Sequence, residues 1–354
     1  MFDYKFLQIK AGHDAHTIET DVVIVGSGCG GGVSARNLAE AGHKVLVVDK
    51  AYHYPPSRLP MAQDAGATHL FDNGGFFVTE DSGCTVTAGS AWGGGGTVNW
   101  SVCLKPQDFV RKEWAEEGLP LFTSTAFDEC LDRVWEFQGA GTDKIRHNHR
   151  NKVLLNGSAK LGWAARPAPV NTGGREHFCG QCHLGCGLAE KRGPATSWLP
   201  DAARAGAQFM EGFEVNKVMF DSDGQTAIGV EGEWTSRDSV GGVSDSVGER
   251  IKRRVVIKAK KVILAAGSLW SPVVLKKSGI TVRLLVSIES WLLANSTRTN
   301  MWELICTSIL ATLSQQYTRK KRSHGREASS PATLLNSTMS TVVDTGPSWK
   351  RLAW

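Results

Sequence analysis

Apolar and polar positions along the first fifty residues change period twice. Val22 to Val25 form an unbroken run of β-branched residues, as in a strand buried on both faces. Gly26-Ser27-Gly28-Cys29-Gly30-Gly31 follows, and then a helical pattern with small residues such as Ala35, which Gly42 is placed to end. A second apolar run, Val45 to Val48, closes on Asp49. This is one β-α-β unit, and the rest of the chain to residue 280 keeps an α/β pattern. Residues 85–88, 213–220, 230–235, 255–259 and 262–265 read as strands. Residues 109–117, 126–137, 197–205 and 271–277 read as helices, with Pro272 suited to the first turn of the last. Residues 52–82 and 236–250 read as loop or polar hairpin.

The glycine spacing in the first unit has a mechanical meaning. Gly26 permits the tight turn, Gly28 lets the backbone approach a pyrophosphate, and Gly31 lets helix and strand pack closely. The helix N-terminus offers free N–H groups and its positive dipole end to phosphate. Asp49, placed 21 residues after Gly28, can accept a hydrogen bond from a ribose hydroxyl. Its charge would repel a 2′-phosphate, so FAD or NAD is favoured over NADP.

Two further stretches narrow the choice. Glycines 93–96 are costly in chain entropy, which suggests close backbone approach to a flat or charged ligand. Thr97 and Asn99 follow, placed to hydrogen-bond a cofactor ring or phosphate. The strand ending in Ala265-Ala266-Gly267 brings more backbone to the same region. A nicotinamide dehydrogenase with one such domain needs neither stretch, and FAD becomes the preferred cofactor.

Composition marks a boundary. Only two of the 39 glycines, Gly325 and Gly346, lie beyond residue 280. Residues 281–354 hold nine Lys or Arg against four Asp or Glu, and 21 Ser or Thr. The net charge of +5 belongs to that tail, so the neutral body predicts no nucleic-acid partner, and the 318–322 run TRKKR reads as a solvated charge cluster. Eight cysteines in 354 residues predict a reducing intracellular setting and no disulfide scaffold. No long uncharged apolar stretch predicts a membrane span.

Taken together, residues 27–50, 90–100, 262–280 and the segment Phe178-Cys179-Gly180-Gln181-Cys182-His183-Leu184-Gly185-Cys186-Gly187 resemble the glucose–methanol–choline (GMC) oxidoreductases, specifically their long-chain (fatty) alcohol oxidase branch. The resemblance implies a Rossmann-like FAD-binding domain built from 20–130 and 190–280 after a lead-in of 1–19. It implies a partial substrate region with a Cys-rich loop at 131–189, and leaves 281–354 as a non-family tail expected to be poorly ordered. It places Gly26, Gly28 and Gly31 at the FAD pyrophosphate and Asp49 at the ribose. Gly94, Gly95, Gly96, Thr97 and Asn99 would line the flavin, Val215 would sit at the adenine, and Ala266 and Gly267 would pass close to the cofactor. The implied partners are a long-chain primary alcohol and O2, with H2O2 as product and peripheral membrane or peroxisomal association as the family setting.

Two questions stay open at this level. Cys179, Cys182 and Cys186, beside His177 and His183, could bind zinc or an iron–sulfur cluster, with His177 as the fourth zinc ligand. A structural Gly- and Cys-rich loop without metal is the preferred reading. The family's catalytic base is a histidine in a C-terminal segment, but the tail holds only His324, in a basic hydrophilic run. The base is therefore unassigned, and the tail is expected to derive from a shifted frame, a retained intron or a gene-model error. A catalytically inactive FAD-binding fragment is the alternative function, and sequencing the transcript across the codons for Ile280 and Thr281 tests the tail's origin.

Overall fold

A computed structural model describes residues 4–9, 15–79, 82–224, 226–243 and 250–280, together with the backbone of Thr341–Asp344. The expectations for 281–354 otherwise lie outside the described residues, and the backbone of Thr341–Asp344 pairs antiparallel with strand β5 (Ala164–Pro167).

The first unit folds as its pattern requires. Strand β1 (Ala15–Val25) leads into helix α1 (Cys29–Glu40) and then into β2 (Val45–Val48). Gly42, at φ +86°, ends the helix in the left-handed region open to glycine. Helices α2 (Gln63–Leu70), α3 (Gly95–Val98), α4 (Asp108–Glu116), α5 (Thr125–Gln138) and α6 (His149–Lys160) follow, with short hairpin strands β3 (Phe77–Val78) and β4 (Thr85–Val86) between α2 and α3. Helix α5 is bounded as its sequence suggests. The Ser124 hydroxyl accepts the Phe127 N–H, and Gly139 takes the left-handed conformation at its end.

Among the described residues the main sheet has six strands. Its order is β6 (Gln208–Met210), β2, β1, β9 (Lys252–Leu264), β8 (Ala227–Thr235), β7 (Phe213–Phe220). The first four strands are parallel, and β9–β8–β7 form an antiparallel meander. This is the α/β class the sequence predicts.

Strand periodicity explains the two cores. Val23 and Val25 point into one buried cluster with Leu46, Val48, Phe213, Val230 and Ile257. Val22 and Ile24 point the other way, where Ala35 and Ala39 of α1 meet Leu199 and Ala202 of α7 (Trp198–Arg204). The two helices approach closely because α1 presents Gly32 to Pro194, Trp198 and Leu199.

Several elements differ from the sequence reading, each for a local reason. Residues 255–259 and 262–265 were expected to form two strands broken at the Lys260–Lys261 pair; residues 255–264 lie in the one continuous strand β9, and Ala265 follows its end. Lys260 extends into solvent and pairs with Asp21, while Lys261 stays in register with Val22, so the ladder is not interrupted. Strand β1 begins seven residues before Val22 because it pairs with β9 from Ala15 onward. Helix α8 (Gly267–Lys277) starts earlier than predicted, which moves Pro272 from the first turn to the interior. Its missing N–H falls on the carbonyl of Ser268, within the first turn. Helix α6 and the short edge strand β6 lack a strong periodic signal and were not foreseen.

Candidate functional site

The carboxyl ends of three adjacent parallel strands coincide. Val25 is in register with Val48 on one side and with Leu264 on the other. Gly26, Asp49 and Ala265 therefore emerge side by side. The chain leaves β1 toward β2 on one side and finds β9 on the other, which makes this end of β1 the switch point where open α/β sheets place ligands.

The glycines at this point fall into two groups. A Cβ on Gly26 or Gly31 would overlap backbone: the Ala265 carbonyl in the first case, the Gly26 carbonyl in the second. Gly26 also sits at φ +104°, so only glycine suits it. A Cβ on Gly28, Gly95 or Gly267 would meet nothing within 4 Å. The first group is glycine for packing, and the second keeps backbone bare toward open space. The two loops also touch: a Cβ on Gly94 would lie 3.2 Å from the Gly28 Cα, and one on Gly30 would lie 3.8 Å from the Ala265 Cβ. The first turn thus touches both the second glycine loop, through Gly28, and the end of β9, through Gly30, which gathers bare backbone where a flat, phosphate-bearing cofactor would need it. The α1 N-terminus opens onto it with no capping side chain and no acid in its first turn.

Asp49 ties these loops together. Its Oδ2 accepts the Ser27 N–H at 2.7 Å and the Ser27 hydroxyl at 2.5 Å, and its Oδ1 accepts the Ala51 N–H at 2.9 Å. The same Ser27 hydroxyl accepts the Gly93 N–H at 2.9 Å. Burial pushes the Asp49 carboxyl upward, opposed by those donors and by Lys50. A carboxylate has about four lone-pair sites, and three of them are taken here by Ser27 and Ala51. Beside it, Lys50 pairs with Asp72 at 2.6 Å and lies 3.8 Å over the Trp270 ring, whose N–H donates to Asp72 at 2.7 Å. That cluster locks the end of β2 to α8.

The second glycine loop is held from below. The Thr97 hydroxyl donates to the Trp92 carbonyl at 2.6 Å, and the Asn99 carboxamide oxygen accepts the Ser101 N–H at 2.9 Å. Both side chains thus shape the loop. Lys191 is buried, and its ammonium donates to the carbonyls of Thr97, Asn99 and Cys182 at 2.7, 2.8 and 2.8 Å. Burial brings it down to about 8. Lys191 and Ser27 are the positioning residues that motif reading passes over. Their signal is a polar side chain enclosed in a Gly-rich run, which names no partner. Val215 lies in the buried cluster on the β7 side of the sheet, and Ala266 caps α8 beside Gly267.

The Cys-rich segment folds under this loop. His177 joins Cys179 and Cys182, whereas His183 stacks on Trp100 at 4.0 Å and Cys186 lines a cavity with Thr97 and Lys191.

Residues 67–285 match the GMC oxidoreductase family, and residues 21–55 match an FAD binding domain. The long-chain-alcohol oxidase FAO4A of Arabidopsis thaliana is 35% identical over 265 residues, 74% of this chain and 35% of its own length. FAO3 of the same organism is 33% identical over 272 residues, 77% of this chain and 36% of its own length. The chain thus spans about a third of the length of these relatives. Pyridoxine 4-oxidase from Mesorbium loti shares the fold at a TM-score of 0.51 and 16% identity, covering 74% of this chain and 52% of that one. With the family match covering well over half of the chain and the FAD binding domain match falling on the first β-α-β unit, the chain belongs to the GMC oxidoreductase family of FAD-dependent oxidoreductases.

Proposed function

We propose that the chain serves the FAD-dependent oxidation of a long-chain primary alcohol to its aldehyde, with O2 reduced to H2O2. The reading is supported by the contact between the two glycine loops at Gly28 and Gly94, together with the identity to four Arabidopsis long-chain-alcohol oxidases. When bound, FAD supplies the acceptor for the carbinol hydride. The chain's own residues act by holding that cofactor: Gly26 and Gly31 set the turn, Gly28 and the α1 N-terminus receive phosphate, and Asp49 takes a ribose hydroxyl. Lys191 and Ser27 keep the loop from residue 93 to 99 against the first turn. In balance, the alcohol loses a proton and a hydride, and O2 leaves as H2O2.

A second reading, a flavin-binding body that does not turn over, is favoured by one observation: residues 281–354, where the family resemblance places the catalytic base, hold the single histidine His324, in the basic run Lys321-Arg322-Ser323-His324. The test is alcohol-dependent peroxide formation by the FAD-loaded chain, with dodecanol as probe. Peroxide in proportion to aldehyde supports the oxidase. Stoichiometric flavin without peroxide supports the second reading, and absence of flavin binding overturns both. Peripheral association with intracellular or peroxisomal membranes is proposed from the family resemblance alone. Fractionation of tagged protein checks it. No described helix is long and apolar enough to cross a membrane.

A further inference from the structure

We propose that His177, Cys179 and Cys182 form a zinc site, with Glu190 holding the histidine from outside. The ligand atoms of the three residues lie within 4.8 Å of one another. Cys182 Sγ and His177 Nε2 are 3.6 Å apart. Zinc bonds of about 2.3 Å to sulfur and about 2.0–2.1 Å to nitrogen at a tetrahedral angle give an edge of about 3.6 Å, so this pair already spans one edge of the polyhedron.

Two features outside that triangle point the same way. The Glu190 carboxylate receives His177 Nδ1 at 2.6 Å. A carboxylate only accepts, so Nδ1 carries the proton and Nε2 is left with its lone pair toward Cys182. That carboxylate–histidine arrangement is what orients imidazole ligands on metals. The Cys179-Gly180-Gln181-Cys182 turn also directs the Gln181 N–H onto Cys179 Sγ at 3.4 Å.

Soft sulfur and imidazole donors select zinc over magnesium or calcium. Three protein ligands leave the fourth position to water. Cys186, although next in the motif, faces the neighbouring cavity and takes no part. The site would have a mechanical effect. Cys182 supplies one of the three carbonyls gripped by Lys191, and Glu190 precedes that lysine directly. Fixing His177, Cys179 and Cys182 to one ion therefore fixes the base on which Thr97 and Asn99 rest. This departs from the metal-free loop preferred from sequence, and it stands independently of the alcohol-oxidase reading because metal content is measured without turnover.

The test is elemental analysis and zinc titration of the purified full-length chain, followed by cobalt substitution. The expected result is one zinc per chain and a thiolate-to-cobalt absorption. Cys179→Ser and Cys182→Ser each abolish both, Cys84→Ser retains both, and Glu190→Gln weakens zinc about 10- to 100-fold. If the cysteine variants fail to fold, Glu190→Gln and the cobalt spectrum of the unaltered chain still decide. Substoichiometric zinc with no thiolate–cobalt band overturns the proposal. So does iron with acid-labile sulfide, or zinc retained equally when both cysteines are replaced, which marks an adventitious ion only.

Discussion

Ser27 carries more structural responsibility than its size suggests. Its hydroxyl donates to Asp49 and accepts from Gly93, so one oxygen joins β2's end, the first glycine loop and the second. Ser27→Ala leaves the buried Gly93 N–H unpaired, a cost of about 2 kcal/mol. We expect the unfolding free energy to fall by that amount and FAD affinity to fall about tenfold; denaturant titration and flavin fluorescence measure the two. Unchanged values would show that the two loops are held by other means. His53 supplies a pH signature. It packs against Tyr4 and Phe6, with ring centroids at 4.8 and 6.0 Å, and burial brings it down to about 4, with Arg237 adding to the effect. Its folded value lies below the unfolded one, so the native state holds it neutral. Its contribution is complete above about pH 6.5 and is lost as pH falls toward 4, amounting to about 3 kcal/mol at most. His53→Phe should flatten the stability profile across that window, and a profile as steep as the parent's would contradict the assignment. Neither role is visible in sequence. Ser27 reads as the variable position of a glycine motif, and the partners of His53 come from residues 4–6, far away in the chain.

At the scale of elements, the glycine motif makes two opposite predictions. Gly28 has φ −63° and open space where a side chain would go, so Gly28→Ala should fold normally yet lose FAD affinity about tenfold or more. Gly31 has the Gly26 carbonyl in that place, so Gly31→Ala should destabilise the α1–β1 junction itself, by about 3 kcal/mol or more. Thermal unfolding and flavin titration of the pair separate a ligand-facing glycine from a packing one. Equal thermal losses in both variants would refute the distinction. Lys191 belongs to the same scale because it joins the Cys-rich loop to α3. Lys191→Met strands the carbonyls of Thr97, Asn99 and Cys182, and a loss of about 3 kcal/mol is expected from denaturant unfolding. The β-α-β unit was legible because its apolar runs, glycines and Asp49 are contiguous. Strand β9 was misread because consecutive lysines look like a break until Asp21 and the β1 ladder are seen beside them. The His177 cluster was ambiguous for a different reason: spacing alone does not show which of two histidines and three cysteines converge.

Across the whole molecule, the carboxyl ends of β1, β2 and β9 bring residues 20–50 and 262–267 together, and residues 90–100 pack against them through Gly94 and Gly28. Residues 20–50, 90–100 and 262–267 contribute backbone more than side chains, which is why glycine is their common feature. Family membership rests on that body, while the chain covers only about a third of its alcohol-oxidase relatives. The most direct measurement is a flavin titration of the full-length chain, read by absorbance and by quenching of flavin fluorescence, with NAD as the competing ligand. The account predicts one FAD per chain, no displacement by NAD, and loss of binding in Gly28→Ala while the protein stays folded. Saturable binding of NAD in place of FAD, or FAD binding untouched by Gly28→Ala, would contradict it.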